Sequence, residues 1–237
     1  MASPTASSHE NDPEDSFLMD GAICPKRWFE NTERGNILFY YKETYGYTDG
    51  SDKAFPELFL SWINNPENKI QTKTPRKLAT LAWAILEHIA GRQVDGAGMQ
   101  STFHDWSLLM EIAQKIAVVN INKLSHEGSA TNDKVIRASS RKYANALREQ
   151  VQSLRPDIII CGGQVTWDSL LDDLNMFPEV RDTDRPGAAL AGRTVICHFN
   201  HVSRLGLGTT LLDYSRMASK AWLDLNPAKI SAVSADR

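Results

Sequence analysis

Glu43, Asn120 and His201 lie far apart in the chain, yet each follows an apolar run that stops abruptly at polar residues. Ile37-Leu38-Phe39-Tyr40-Tyr41 leads into Lys42-Glu43-Thr44. Ile116-Ala117-Val118-Val119 leads into Asn120-Ile121-Asn122-Lys123. Val195-Ile196-Cys197-His198-Phe199 leads into Asn200-His201-Val202-Ser203-Arg204. A fourth run, Ile158-Ile159-Ile160-Cys161, ends at Gly162-Gly163. A carboxylate placed like Glu43 can polarise a water or stabilise a developing cation. An amide such as Asn120 offers a donor and an acceptor together, which suits the edge of a nucleobase. Imidazole, hydroxyl and guanidinium on one loop, at His201, Ser203 and Arg204, can hold a leaving group and a phosphate.

Each of these residues also has a plainer use. Glu43 fits a solvated loop acid paired with Lys42. Asn120 and Asn122, two apart and so on one side of a strand, fit caps of a loop backbone. Gly162-Gly163 allows a tight turn, a close backbone approach, or an anion at a helix start. It lacks the spacing of a dinucleotide fingerprint and the GK[ST] of a P-loop. His198 reads as a packed histidine. Its spacing of three from His201 puts the pair on opposite faces of a strand, against a shared metal ion. His88 reads as structural, and His126 lies in a polar loop.

The stretches between the runs are long enough for crossover helices. Leu78, Leu81, Ala82, Ile85, Leu86 and Ile89 recur on one face of a helix over Arg76 to Ala90, with Pro75 in its first turn. Asp105 to Lys115 reads as a second helix. Asp133 to Leu154 reads as one long helix, ended by Arg155-Pro156. Two more are predicted around residues 165–174 and 207–223. Arg137, Arg141 and Arg148 on the long helix form a stripe that fits either a wet face or phosphate contacts. This order predicts a three-layer α/β/α sandwich around a mostly parallel, four-stranded sheet. Such sheets bind ligands at the carboxyl ends of their strands, where all four polar clusters fall.

The 237 residues suit one large domain. Residues 1–15 are expected to be a disordered acidic tail, 16–225 a single domain, and 226–237 a flexible tail. The formal charge of -3 argues against a basic nucleic-acid binder, but the first 20 residues hold five acids and no Lys or Arg. The remainder is near +2, so contact with DNA needs a local patch. Apolar runs fall short of the roughly 20 residues that span a bilayer, and a signal peptide is not recognisable. The expectation is a cytoplasmic monomer. Cys24, Cys161 and Cys197 include no CxxC pair, against a zinc ribbon or four-cysteine cluster.

Taken in order, the pieces resemble the uracil-DNA glycosylase superfamily over residues 36–212. Ala117-Val118-Val119-Asn120, its polar loop, Asn132-Asp133-Lys134, the long helix and Leu154-Arg155-Pro156-Asp157-Ile158-Ile159-Ile160-Cys161-Gly162-Gly163 are similar to the family's base-reading strand, its loop and the next strand. His201-Val202-Ser203 is similar to its H-P-S loop, with valine for proline. Lys42-Glu43-Thr44-Tyr45-Gly46 falls where the family has its water-activating motif, written G-Q-D-P-Y or G-E-A-P-G. Lys42 replaces the glycine and Tyr45 the proline, while Glu43 matches the glutamate of the second form. The chain lacks the cysteines of the cluster-bearing members.

The resemblance implies that a nucleotide is flipped out of DNA and its N-glycosidic bond hydrolysed, without a metal or organic cofactor. It assigns Asn120 to the base edge, Glu43 to the sugar cation and water, and His201 to the departing base. Tyr45, Tyr47 or Phe55 would stack on the base. Gly46 stands where the uracil-specific branch has a tyrosine that blocks C5, which points to a 5-substituted pyrimidine or modified cytosine. Gly162, Gly163, Ser203, Arg204, Asn122 and Lys123 would contact DNA. A role in defence against phage DNA is one implication. The alternatives are a catalytically silent DNA- or partner-binding member of the same fold, or an unrelated α/β nucleotide hydrolase.

Overall fold

All four apolar runs form parallel strands, and two further strands flank them. The structure, a computed structural model, describes residues 20–31, 35–42, 55–64, 73–122, 132–180 and 186–227, apart from the Arg204 side chain. The chain runs β1 (Gly21–Ala22), α1 (Pro25–Glu30), β2 (Ile37–Tyr41), α2 (Phe55–Asn64), α3 (Lys73–Ile89), α4 (Gly96–His104), α5 (Trp106–Ala113) and β3 (Ile116–Asn120). It continues with α6 (Asp133–Lys142), α7 (Ala144–Leu154), β4 (Ile158–Gly162), α8 (Gln164–Asp168), β5 (Gly187–Ala191), β6 (Thr194–Phe199) and α9 (Thr209–Leu225). A short π-helix at Ser169–Asp173 extends α8, and a 3-10 turn at Val202–Arg204 follows β6.

The sheet order is β1-β3-β2-β4-β6-β5. β3, β2, β4 and β6 are parallel, whereas β1 and β5 pair antiparallel at the two edges. The expected four-stranded sheet is thus six-stranded. The two edges escape notice in the sequence for a physical reason. β1 is only Gly-Ala and β5 is Gly-Ala-Ala-Leu-Ala, so neither carries the β-branched run that marks a strand.

Every described residue of β2, β3, β4 and β6 is buried, as expected for parallel strands covered on both faces. Alternation divides them between two cores. Ile37, Phe39, Val118, Ile160, Cys197 and Phe199 pack with residues of α2, α3, α5 and α9. Leu38, Tyr40, Val119, Ile159, Cys161 and Ile196 pack with Ile136 of α6, Leu147 and Val151 of α7 and Trp167 of α8. Trp28 Nε1 donates to the Leu154 carbonyl at 3.0 Å and fixes α1 against the end of α7.

The predicted long helix is interrupted at Tyr143, whose φ of -105° and ψ of 16° separate α6 from α7. Hydrogen bonding still crosses the break, because Tyr143 N–H donates to the Ser139 carbonyl at 2.9 Å. The break follows a Ser139-Ser140 pair, a common site of helix bending, and Ser140 Oγ is drawn to Ser169 Oγ at 2.6 Å. Arg155, ahead of Pro156, takes the left-handed conformation (φ 48°) and ends the helix. The arginine stripe is committed within the fold. Arg137 pairs with Asp168, Arg141 with Asp173 at 3.1 Å, and Arg148 donates to the Leu174 carbonyl at 3.0 Å. These contacts tie α6 and α7 to the α8 segment, while the Arg137 and Arg141 side chains stay 41% and 71% exposed. Among the described residues no helix is long and apolar enough to cross a membrane.

Candidate active site

Register gathers the carboxyl ends of the four parallel strands on one face. Tyr41 is paired with Asn120, and Gly162 with Phe199. Tyr40 pairs with Cys161, so Tyr41 and Gly162 are the next neighbours across β2 and β4. Because side chains alternate, Tyr41, Asn120, Gly162 and Phe199 all fall on the sheet face that packs against α2, α3, α5 and α9. Asn120 lies to one side of Tyr41, and His201 meets it on the other. The Tyr41 and His201 rings make an edge contact with centroids 4.8 Å apart.

Asn120 is held by a residue that the sequence reading grouped with the acidic N-terminal segment. β1 runs antiparallel to β3, which brings Asp20 to the carboxyl end of β3. Asp20 Oδ2 accepts the Asn120 backbone N–H at 2.6 Å and its side-chain Nδ2 at 3.0 Å. Gln150 Nε2 donates to Asp20 Oδ1 at 2.8 Å and to the Asp20 carbonyl at 2.7 Å, so α7 holds the carboxylate in turn. A carboxylate accepts and does not donate. The Asn120 amide therefore has one orientation, with its nitrogen toward Asp20 and its oxygen turned away. The pairing of β3 with β2 continues past the strand ends, with Ile121 N–H on the Tyr41 carbonyl (2.9 Å) and Asn122 N–H on the Lys42 carbonyl (2.8 Å). Asn122 is buried.

His201 caps the 3-10 turn through its ring. Nδ1 receives the Ser203 backbone N–H at 3.2 Å and lies 2.7 Å from Ser203 Oγ. A backbone N–H only donates, so Nδ1 is an acceptor and the neutral ring carries its proton on Nε2. The Lys77 ammonium, reaching from α3, donates to the carbonyls of Val202 and Ser203 at 3.3 Å each and to that of Leu205. Burial and the neighbouring charge of Lys73 hold the Lys77 pKa below its ordinary value.

The two glycines have separate reasons. A Cβ at Gly162 would stand 1.9 Å from Tyr41 Cε1, so the Tyr41 ring lies directly on the Gly162 backbone. Gly163 has φ +115°, which favours glycine. Phe55 is buried at the start of α2 against Phe59 and Trp62, with centroids 5.9 and 6.3 Å away. His198 stacks on Trp167 at 5.1 Å, on the sheet face opposite His201. Lys42 pairs with Asp133 at 2.5 Å. Glu43, Tyr45, Gly46, Tyr47, Lys123 and His126 lie outside the described residues, as does the Arg204 side chain.

Sequence reading missed Asp20, Tyr41 and Lys77. Asp20 is hidden by its acidic neighbours and by the two-residue strand behind it. Tyr41 passes for one more apolar residue of β2. Only Gly162, small and next to a bulky strand, hints at a ring lying across it. No family model and no curated protein matches the chain. A cavity of about 370 Å³ lies at the opposite, amino ends of β4 and β6, lined by Arg155, Pro156, Arg193 and Thr194 among others, and it holds none of these residues.

Proposed function

We propose that the chain is a DNA glycosylase that acts on a flipped pyrimidine, with a 5-substituted or modified base as its preferred target. The observation that carries the reading is the pair of oriented groups flanking Tyr41. Asp20 leaves the Asn120 oxygen as an acceptor, and the Ser203 N–H leaves the proton of neutral His201 on Nε2. An acceptor and a donor set apart at the carboxyl ends of the strands match a base that has an N–H beside a carbonyl oxygen.

The base reaches the site by leaving the stack, at a cost of a few kcal/mol. Asn120 Oδ1 accepts from the base N–H. The C1′–N bond breaks, its electron pair leaves with the base, and the sugar becomes oxocarbenium-like. His201 Nε2–H donates to the base oxygen where negative charge accumulates, a preorganised contact that strengthens along the reaction. In this reading Glu43, two residues past Tyr41 in sequence, faces the cation and takes a proton from the attacking water. In the same reading Ser203 and the Gly162-Gly163 turn contact the flanking phosphates.

The test is incubation with duplexes that carry uracil, thymine, cytosine or 5-substituted pyrimidines, followed by alkaline cleavage. Strand scission that disappears in Glu43→Gln and falls at least 100-fold in His201→Ala is the expected result. Salt-sensitive DNA binding without an abasic product would instead identify a silent member of the same architecture.

A further inference from the structure

Tyr40 and Tyr41 are consecutive residues of β2 in opposite situations. The Tyr40 hydroxyl lies 2.9 Å from Ser169 Oγ, which in turn lies 2.6 Å from Ser140 Oγ. Tyr41 is as deeply placed, at 3% exposure, yet its hydroxyl has no hydrogen-bond partner among the described residues. A buried hydroxyl left unpaired destabilises the fold, and such a group in a native structure calls for a reason. Packing does not supply one. Phe39, two residues earlier on the same face, fills its place with a ring that has no hydroxyl, and a phenylalanine at position 41 would stack on it equally well (centroids 6.0 Å apart).

The surroundings of the ring indicate where the missing partner belongs. Tyr41 lies on Gly162, makes an edge contact with His201 and is paired in register with Asn120. Burial pushes the phenol pKa up, so the group is an O–H donor at neutral pH. We propose that Tyr41 is a ligand-contacting residue, its hydroxyl donating to a carbonyl oxygen of a pyrimidine held between Asn120 and His201. That the ligand is a pyrimidine rests on the function proposed above; the unpaired hydroxyl does not.

The test compares Tyr41→Phe with Tyr40→Phe in the full chain. Tyr41→Phe is expected to be as stable as the parent or more so, and to lose about tenfold in kcat/KM for base release from the best of the duplexes. Tyr40→Phe is expected to melt earlier, because it removes a buried hydrogen bond to Ser169, and to release base at the parent rate below its melting range. Parent-like activity of Tyr41→Phe, or a loss of stability matching that of Tyr40→Phe, overturns the inference and leaves the glycosylase reading intact. If the parent releases no base from any duplex, that reading fails, and Tyr41 is judged with free uracil, thymine and cytosine as probes. The 13Cζ resonance of Tyr41, assigned by its absence in Tyr41→Phe, is expected to move on saturation with at least one of them; a resonance that stays fixed with all three overturns the inference.

Discussion

An alanine at position 162 would place its methyl carbon 1.9 Å from Tyr41 Cε1 and 2.0 Å from Cδ1. Carbon atoms in contact stay about 3.5–4.0 Å apart, so the ring has to retreat by more than an ångström. It has little room, because Phe39 stacks on it and His201 meets it edge-on. Overpacking of a core costs about 1–3 kcal/mol, and a buried ring that cannot swing into solvent puts this site at the upper end, about 3 kcal/mol. At roughly 2–4 °C per kcal/mol for a chain of this size, the melting temperature should fall by about 6–12 °C. A double-mutant cycle isolates the clash. Tyr41→Ala alone costs about 3–5 kcal/mol as a cavity, but Gly162→Ala added to it should cost less than about 0.5 kcal/mol, a coupling of about 2–3 kcal/mol. Urea unfolding of the four proteins measures every corner. A Gly162→Ala protein within about 0.5 kcal/mol of the parent, or one with the same penalty in both backgrounds, would refute the argument that Tyr41 is what requires glycine there.

Asp20→Ala removes the carboxylate that accepts from Asn120 N–H, Asn120 Nδ2 and Gln150 Nε2; stability should drop by about 2 kcal/mol in urea unfolding, and, if the proposed function holds, base release should slow as the Asn120 amide loses its orientation. Lys77→Met strips the ammonium from three carbonyls of the turn after His201 and should cost about 1–2 kcal/mol in the same assay; under the proposed reaction it should lower kcat more than it raises KM. Burial, then the Arg216 charge, lowers the His88 pKa below its ordinary value. The unfolded chain therefore binds that proton more readily, and the stability His88 contributes is present above about pH 6.5 and lost as the pH falls below it; melting curves from pH 8 to 5.5 should show a shallower fall in His88→Gln. Burial raises the Cys161 and Cys197 thiols far above their ordinary range, so an aromatic disulfide reagent should titrate Cys24 alone in the native protein and all three cysteines in denaturant.

The central sheet was legible because its four strands are continuous apolar runs, the pattern that two covered faces demand. Period-two alternation then separated His198 from His201, as found. The edges were not legible, since Gly21-Ala22 and the small residues of β5 hold their places by pairing rather than by hydrophobicity. Helix α4 went unseen for the same kind of reason: its start, Gly96-Ala97-Gly98, has poor helix propensity, and the Asp95 side chain, accepting from Gly98 N–H at 2.7 Å, caps it. Within the site, residues just past a strand could be found by position. Asp20 could not, because it reaches Asn120 across 100 residues through an antiparallel pairing, and no local pattern encodes that. Tyr41 was visible as a letter, but its unpaired hydroxyl is a property of the packed interior.

The Lys77 ammonium stands among three carbonyl oxygens much as a bound metal ion would, except that this cation is built into the chain. Its consequence is mechanical. The imidazole leaves the sheet on β6, yet the turn that aims it is anchored to the helical layer through α3. A tilt of that helix would carry the imidazole with it while the amide on β3, fastened to Asp20 and α7, stayed still. The spacing between the two groups is thus adjustable from the molecule's exterior, and if the proposed function holds, substitutions on the first turns of α3 that never touch a ligand should alter which bases fit.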